Sequence, residues 1–347
     1  MRAIPFGATP TGEPVRLWTW ANAAGARIAV SEMGAALVVL EAPDRDGHLA
    51  DVTLGFERAE AYVANGLYAG AVVGRYANRI AGAAFTLNGR RYALSANAPP
   101  HCLHGGEPGL HRKLWRAEPR ADGTGLSLSV TSPAGEAGFP GALQAKADYR
   151  WAEDHTLILE LTAVVDAPCP VSLAPHPYWN LDGHGAGAVL DHWLAIEADA
   201  YTPTGPDQIP EGWIAAVSGG LDFRRGQRLA DSVTARGGEG LDHNFVLRGE
   251  GLRSAAQLWS PRSGRRLRVS TDRPGLQVYS LDACPPDLQG VKDGAAYGPR
   301  GGIALEPQAF PDSPNQPHFP STLIRPGEVF RARSVFAFDV AFSAEHQ

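Results

Sequence analysis

The sequence predicts an all-β protein, a large antiparallel β-sandwich with few short helices. Three observations carry this expectation. Apolar and polar residues alternate along many short runs, the pattern of half-buried strands. The 40 glycines and 28 prolines are scattered between those runs as turn punctuation, with no repeat. Helical periodicity is almost absent. In chain order, ERAEAYVAN (57–65) is the best helix candidate, and a short one. FTLNGRRYAL (85–94) reads as a hairpin, with Phe85/Leu87 and Tyr92/Leu94 flanking an Asn-Gly pair suited to a tight primed turn. DYRWAEDHTLILELTAVV (148–165) repeats the design, with Tyr149 and Trp151 before the turn and Leu157, Leu159 and Leu161 after it. AQLWSPRSGRRLRVST (256–271) is a third hairpin, followed by the strands LQVYSL (276–281) and RSVFAFDV (333–340). Two stacked sandwich domains would also fit 347 residues. No linker or charge run marks a boundary, so the expectation is one domain over 1–347.

Composition narrows the function classes. Hydrophobic residues make up 44% and charged residues 20%, enough apolar surface for a sizeable core. A net charge of −6 speaks against a surface built for nucleic acid. No apolar run is long enough to cross a membrane, and the first residues lack the basic and apolar segments of a secretory signal. Cys102, Cys169 and Cys284 are sparse and without CxxC spacing, so neither a disulfide framework nor a zinc cluster is expected. The expectation is a cytoplasmic protein, monomer or homodimer, with its cysteines reduced.

Four stretches place polar groups where a strand-rich chain has no obvious need of them. VVGRYANRI (72–80) carries Arg75, Asn78 and Arg79. PPHCLHGG (99–106) sets His104 before a Gly-Gly pair that would let backbone approach a ligand. APHPYWNLDG (174–183) holds His176 between Pro175 and Pro177, on a stiff, non-helical stub. IALEPQAFPDSPNQP (303–317) ends a strand-like run at Glu306, just before Pro307. Each has a structural reading: an ion-pair arginine, a loop histidine, an exposed turn, a strand-capping carboxylate. A metal site from His101, His104 and His176 is a further option, but no helical HxxxH or paired cysteine accompanies it, and no metal is expected.

Together, these segments resemble the aldose 1-epimerase family. The resemblance rests on GRYANRI with the hairpin and LHGG (74–106), HPYWNL (176–181) and LEPQAFPDS (305–313). APDRDGHLADVTLGF (42–56) and FPSTLIRPGE (319–328) extend it over nearly the whole chain. It implies the galactose mutarotase-like supersandwich, no cofactor, and a free monosaccharide as substrate. It also implies His176 as acid and Glu306 as base, with Asn78, Arg79, His104, Asp242 and Gln277 binding the sugar. One departure stands out: Pro175 and Pro177 replace the Asn and Ser/Thr usual beside the acid histidine, which puts the choice of sugar in doubt.

Anomers interconvert when the C1–ring oxygen bond opens and recloses on the other face. Opening needs a proton on the ring oxygen and another taken from the C1 hydroxyl. A histidine with an ordinary pKa of roughly 6.5 keeps a protonated fraction near neutrality, and an ionised glutamate is the natural base. Flanking prolines would hold His176 in place before folding is complete. Trp179 could pack on the sugar, although a core position is the plainer reading. Three alternatives stay open: a hexose-phosphate epimerase using RRGQR (224–228) or RSGRRLR (262–268), a glycosidase using Glu306 with Asp242, and a non-catalytic sugar-binding module.

Overall fold

A computed structural model of the chain describes residues 1–341. Its strands pair antiparallel in three large sheets. A nine-stranded sheet runs Arg116–Pro119, Gly125–Ser132, Leu143–Trp151, Thr156–Val165, Phe330–Val340, Arg265–Thr271, Arg253–Trp259, Trp193–Ile196 and Gln227–Arg228. A six-stranded sheet runs Tyr178–Trp179, Ile303–Gln308, Gly275–Tyr279, Asp242–Leu247, Ala198–Thr202 and Ala215–Ala216. Residues 2–51 form a five-stranded meander. The nine- and six-stranded sheets pack face to face. Leu157, Leu159, Leu161 and Phe336 of the first share one apolar cluster with Leu276, Val278, Ile303 and Leu305 of the second. Trp179 spans the seam, its ring 5.4 Å from Phe336 and 5.5 Å from Phe338. It is wholly buried core, and so unavailable to a sugar.

The three hairpins form where the sequence places them. Strands Ala84–Leu87 and Arg90–Ala93 are joined by Asn88 (φ 50°) and Gly89 (φ 76°), and both signs fit the primed turn whose twist matches the flanking strands. Phe85 and Tyr92, directly opposite each other, stack at 5.4 Å. Leu143–Trp151 pairs with Thr156–Val165, and its inward residues alternate as the sequence does. The helix at 57–65 is shorter than its sequence signal, Ala59–Ala64. A second helix, Leu229–Ala235, was not anticipated: it buries Leu229 and Val233, and two apolar positions are too few to show a period.

Arg75 resolves as a structural group. Its guanidinium is buried and donates to the carbonyls of Ser132, Pro133, Pro140 and Gly141 and to the Ser132 hydroxyl, at 2.6–3.2 Å. An arginine's five donors satisfy carbonyls that a loop would otherwise bury unpaired. Arg265 does the same for the carbonyls of Ala42, Leu181 and His48.

Candidate active site

The site grows from strand register. In Ile303–Gln308, Ile303 and Leu305 point into the sandwich, so alternation turns Ala304, Glu306 and Gln308 to the other face. Glu306 therefore sits inside the strand rather than at its end, and is buried. Pro307 is tolerated there because Tyr178–Trp179 pairs only with Ala304 and Ile303, leaving one side of the strand open beyond them. Tyr178 lies opposite Ala304; two residues back along one strand and two forward along the other bring His176 to Glu306. Their side chains meet, Nε2 to Oε1, at 3.6 Å. Gln277 lies opposite Glu306 on the other flank, and Asn244 lies opposite Gln277. Four stretches far apart in sequence thus become one row across neighbouring strands.

His176 is not an exposed turn residue. Its amide donates to the Ala71 carbonyl and its own carbonyl accepts from the Gly70 amide, both at 2.9 Å. Gly70 has φ 66° and sits so close to Leu37 that a Cβ would meet the carbonyl oxygen at 2.0 Å. The backbone at His176 is therefore held by long-range hydrogen bonds as well as by its prolines. The Pro175→Ala/Pro177→Ala double variant should accordingly lose stability, by about 1–2 kcal/mol through the unfolded chain. Its kcat should stay within about fivefold of the parent, because the two backbone bonds survive. Thermal unfolding and steady-state kinetics test this, and a kcat collapse at unchanged stability would show that the prolines alone orient the acid.

Electrostatics at the pair departs from the sequence expectation. Burial pushes the His176 imidazole down to about 4. Burial also holds the Glu306 carboxyl well above the usual range, assisted by the Asp242 charge and opposed by Arg79. Desolvation penalises both charged forms and so favours a neutral imidazole beside a protonated carboxyl. An unperturbed histidine pKa is a poor guide for a ring packed against Tyr178 at 5.0 Å and His104 at 5.3 Å.

Around the pair lies a cavity of about 950 Å³, lined by Asn78, Arg79, His104, Asp242 and Tyr68 among others. Asn78 (φ 61°) donates its amide to Nδ1 of His104, and its side-chain oxygen accepts from the Arg79 amide. Because Nδ1 of His104 is an acceptor, the hydrogen of the neutral ring sits on Nε2, making it a fixed donor. Arg79 donates to the Gln208 side chain and lies 3.8 Å from Asp242. Gln277 does not line the cavity; its amide donates to Asp242 at 2.5 Å and positions that carboxylate from below. Gly105 and Gly106 do not face the cavity either. A Cβ on Gly105 would strike the Gly74–Arg75 backbone at 2.1–2.3 Å, so the glycine serves a chain crossing, not a ligand. Tyr68, His243 and the rim at 204–208 were missed by the sequence reading, since they sit in segments with no polar anomaly.

Ligand atoms of His104, His176 and Glu306 lie within 4.8 Å of one another, a set with the right groups for a metal. The donor chemistry does not fit: a His104 ring already accepting at Nδ1 presents N–H, not a lone pair, at Nε2. His101 stands apart, accepting from the Gly82 amide and facing Asp207 at 3.4 Å. The arginine clusters weighed for a phosphate also lie outside the cavity. Arg224 pairs with Asp222, Arg228 with Asp191, and Arg268 with Asp339.

Comparison with known proteins agrees with this geometry. Residues 16–337 match the aldose 1-epimerase family profile. The chain is 40% identical over 317 residues to bovine galactose mutarotase, covering 91% of this chain and 92% of that one. It is 36% identical over 341 residues to the aldose 1-epimerase of Escherichia coli K12, covering 95% and 96%. Among solved structures, an aldose epimerase homologue from C. elegans superposes with a TM-score of 0.88 at 31% identity, covering 94% of this chain and 99% of that one. A galactose 1-epimerase from Lactobacillus acidophilus gives 0.85 at 25% identity, covering 98% and 99%.

Proposed function

The chain belongs to the aldose 1-epimerase family, isomerases that interconvert the α and β anomers of free aldoses, and we propose that it does so with His176 as acid and Glu306 as base. The observation that carries this assignment is the pair itself: two buried titratable groups facing each other at 3.6 Å on the floor of a cavity. The pair holds one transferable proton, and its two forms are the two ends of one step. Imidazolium with carboxylate opens the ring: His176 protonates the ring oxygen while Glu306 takes the proton from the C1 hydroxyl. Imidazole with carboxylic acid closes it: His176 accepts the C5 hydroxyl proton and Glu306 returns one to the carbonyl oxygen. After rotation about C1–C2, closure on the other face restores the starting form. Burial favours the second form, and Arg79 pulls toward the first. In either form the pair carries the same single proton, so closure of the ring resets it for the next turnover.

The cradle follows the same logic. Arg79 and Nε2 of His104 present donors, and Asp242, braced by Gln277, presents an acceptor. Hydroxyls matched in this way discriminate because a sugar lacking one leaves a buried partner unpaired. We take the chain as one unit, because a single apolar cluster runs from Trp20 to Phe338. The bovine relative is a galactose mutarotase, so galactose heads the substrate panel. Freshly dissolved α-D-galactose, α-D-glucose and α-D-xylose should each reach their usual final rotation, faster in proportion to enzyme for the preferred sugar. No acceleration with any anomer, or release of reducing ends from a glycoside, would overturn the proposal.

A further inference from the structure

The site histidines are fixed by a common device, with one exception. Nδ1 of His104 accepts from the Asn78 amide, and Nδ1 of His243 accepts from the Asp242 amide at 3.0 Å. Each ring is thereby locked about its own axis by the main chain. Nδ1 of His176 is buried and has no hydrogen-bond partner among the described residues. The one imidazole that must aim Nε2 at a reacting atom has its main chain held, but among the described residues no amide of another residue bonds its Nδ1 as in the other two rings.

Packing takes over that role, and its least expected component is Tyr68. This residue adopts φ 55°, a left-handed backbone rarely found for an aromatic side chain. The turn it opens, with the Ala71 amide donating to the Tyr68 carbonyl at 3.0 Å, supplies the Gly70 and Ala71 groups that grip the His176 main chain. Its ring lies 4.5 Å from His104, 4.6 Å from His111 and 5.9 Å from His176. Tyr178 packs on His176 at 5.0 Å. One residue in an unfavourable conformation thus touches both the backbone turn and the ring environment of the acid.

We propose that Tyr68 is a positioning residue for the proton transfer, holding the His176 imidazole in the rotation that faces Glu306. The inference rests on His176 and Glu306 being the transferring pair. A ring free to turn would point Nε2 at the sugar only part of the time, so the loss falls on kcat, with binding little changed.

The test is a set of variants at one position. Tyr68→Gly removes the ring while accepting the left-handed backbone. It should lower kcat by about 10- to 100-fold, the scale of a misplaced catalytic group, with KM within about threefold. Tyr68→Asn, which also tolerates this conformation, should behave alike and keeps the experiment informative if the glycine variant folds poorly. Tyr68→Phe should restore most of the lost rate, because the ring and not the hydroxyl is at work. Parental kcat in the glycine and asparagine variants overturns the inference, as does a rise in KM alone, which would make Tyr68 a sugar contact. A phenylalanine variant as impaired as glycine overturns it too. His176→Asn and Glu306→Gln run in parallel. If those retain activity the acid–base assignment itself fails; if they are inactive while Tyr68→Gly is normal, only the positioning role fails.

Discussion

Glu306→Gln and His176→Asn should each lower kcat by about 10²–10⁴-fold, the usual contribution of one positioned acid or base, while leaving KM nearly unchanged. Gln keeps the shape of the glutamate, Asn keeps a polar amide near the Nδ1 position of the histidine, and neither can exchange the proton. Because neither transfer succeeds without the other, the double variant should be little slower than the worse single one. Polarimetry on a pure anomer measures all three. Stability should move the opposite way for the glutamate. Its folded pKa is raised by burial, so above the unfolded value of roughly 4.3 the unfolded chain releases the proton more readily and is favoured by it. Gln removes that penalty, and Glu306→Gln should melt at a higher temperature than the parent while being nearly inactive. An active, folded variant would refute the assignment of the base, and a variant melting below the parent would refute the burial penalty.

Much of the fold was legible because its signals are local. An Asn-Gly pair between alternating residues specifies the turn at 88–89 without reference to the rest of the chain, and the structure places a primed turn there. The same holds for the strands on either side of 152–155 and for the last strand, Phe330–Val340. Strand order was not legible. Nothing local says that Phe330–Val340 inserts between Thr156–Val165 and Arg265–Thr271, since that neighbourhood is decided by which faces bury together.

The site was legible in its members and illegible in its geometry. His176, Glu306, Asn78, Arg79 and His104 stood out as polar groups in apolar surroundings, Asp242 came only from the family resemblance, and all six line one cavity. Their roles depend on contacts that the sequence does not show. The resemblance names Gln277 as a sugar ligand, and the fold adds a hydrogen bond from its amide to Asp242; Gly105 looks like a ligand loop and instead lets two segments cross. Arg75 carries the same charge as Arg79 four residues away, yet is spent on carbonyls. Tyr68 gave no signal, because an aromatic residue in a strand-rich chain is expected to be core. Protonation states were the least accessible, since desolvation exists only once the chain has folded.

That desolvation gives the second large expectation, acid lability beginning near pH 6. Burial lowers the pKa of five histidines: His104 well below its usual value, His111 to about 3, and His176, His192 and His243 each to about 4. In the unfolded chain each takes up a proton near pH 6.5, whereas the folded protein binds none of them until about two units lower. As pH falls through that window the unfolded state binds more protons, and each histidine lowers stability by about 1.4 kcal/mol per pH unit. Two groups oppose this. Glu306 and Asp242 are raised by burial, so the folded state binds their protons first and gains stability on acidification. The lowered histidines outnumber the raised carboxyls, so the net effect of acidification through this window is loss of stability. Exposed carboxylates with lowered pKa values, such as Asp199 and Asp222, titrate below the window and are screened by solvent. The protein should therefore unfold cooperatively between about pH 4 and 5.5, with uptake of several protons, followed by tryptophan fluorescence and far-UV circular dichroism. His111→Phe fills the space beside Tyr68 with an aromatic ring and deletes one of the five protons, so its midpoint should shift to lower pH. Stability that stays level from pH 7 to pH 4, or a His111→Phe midpoint displaced upward, would mean that these histidines charge without cost in the fold.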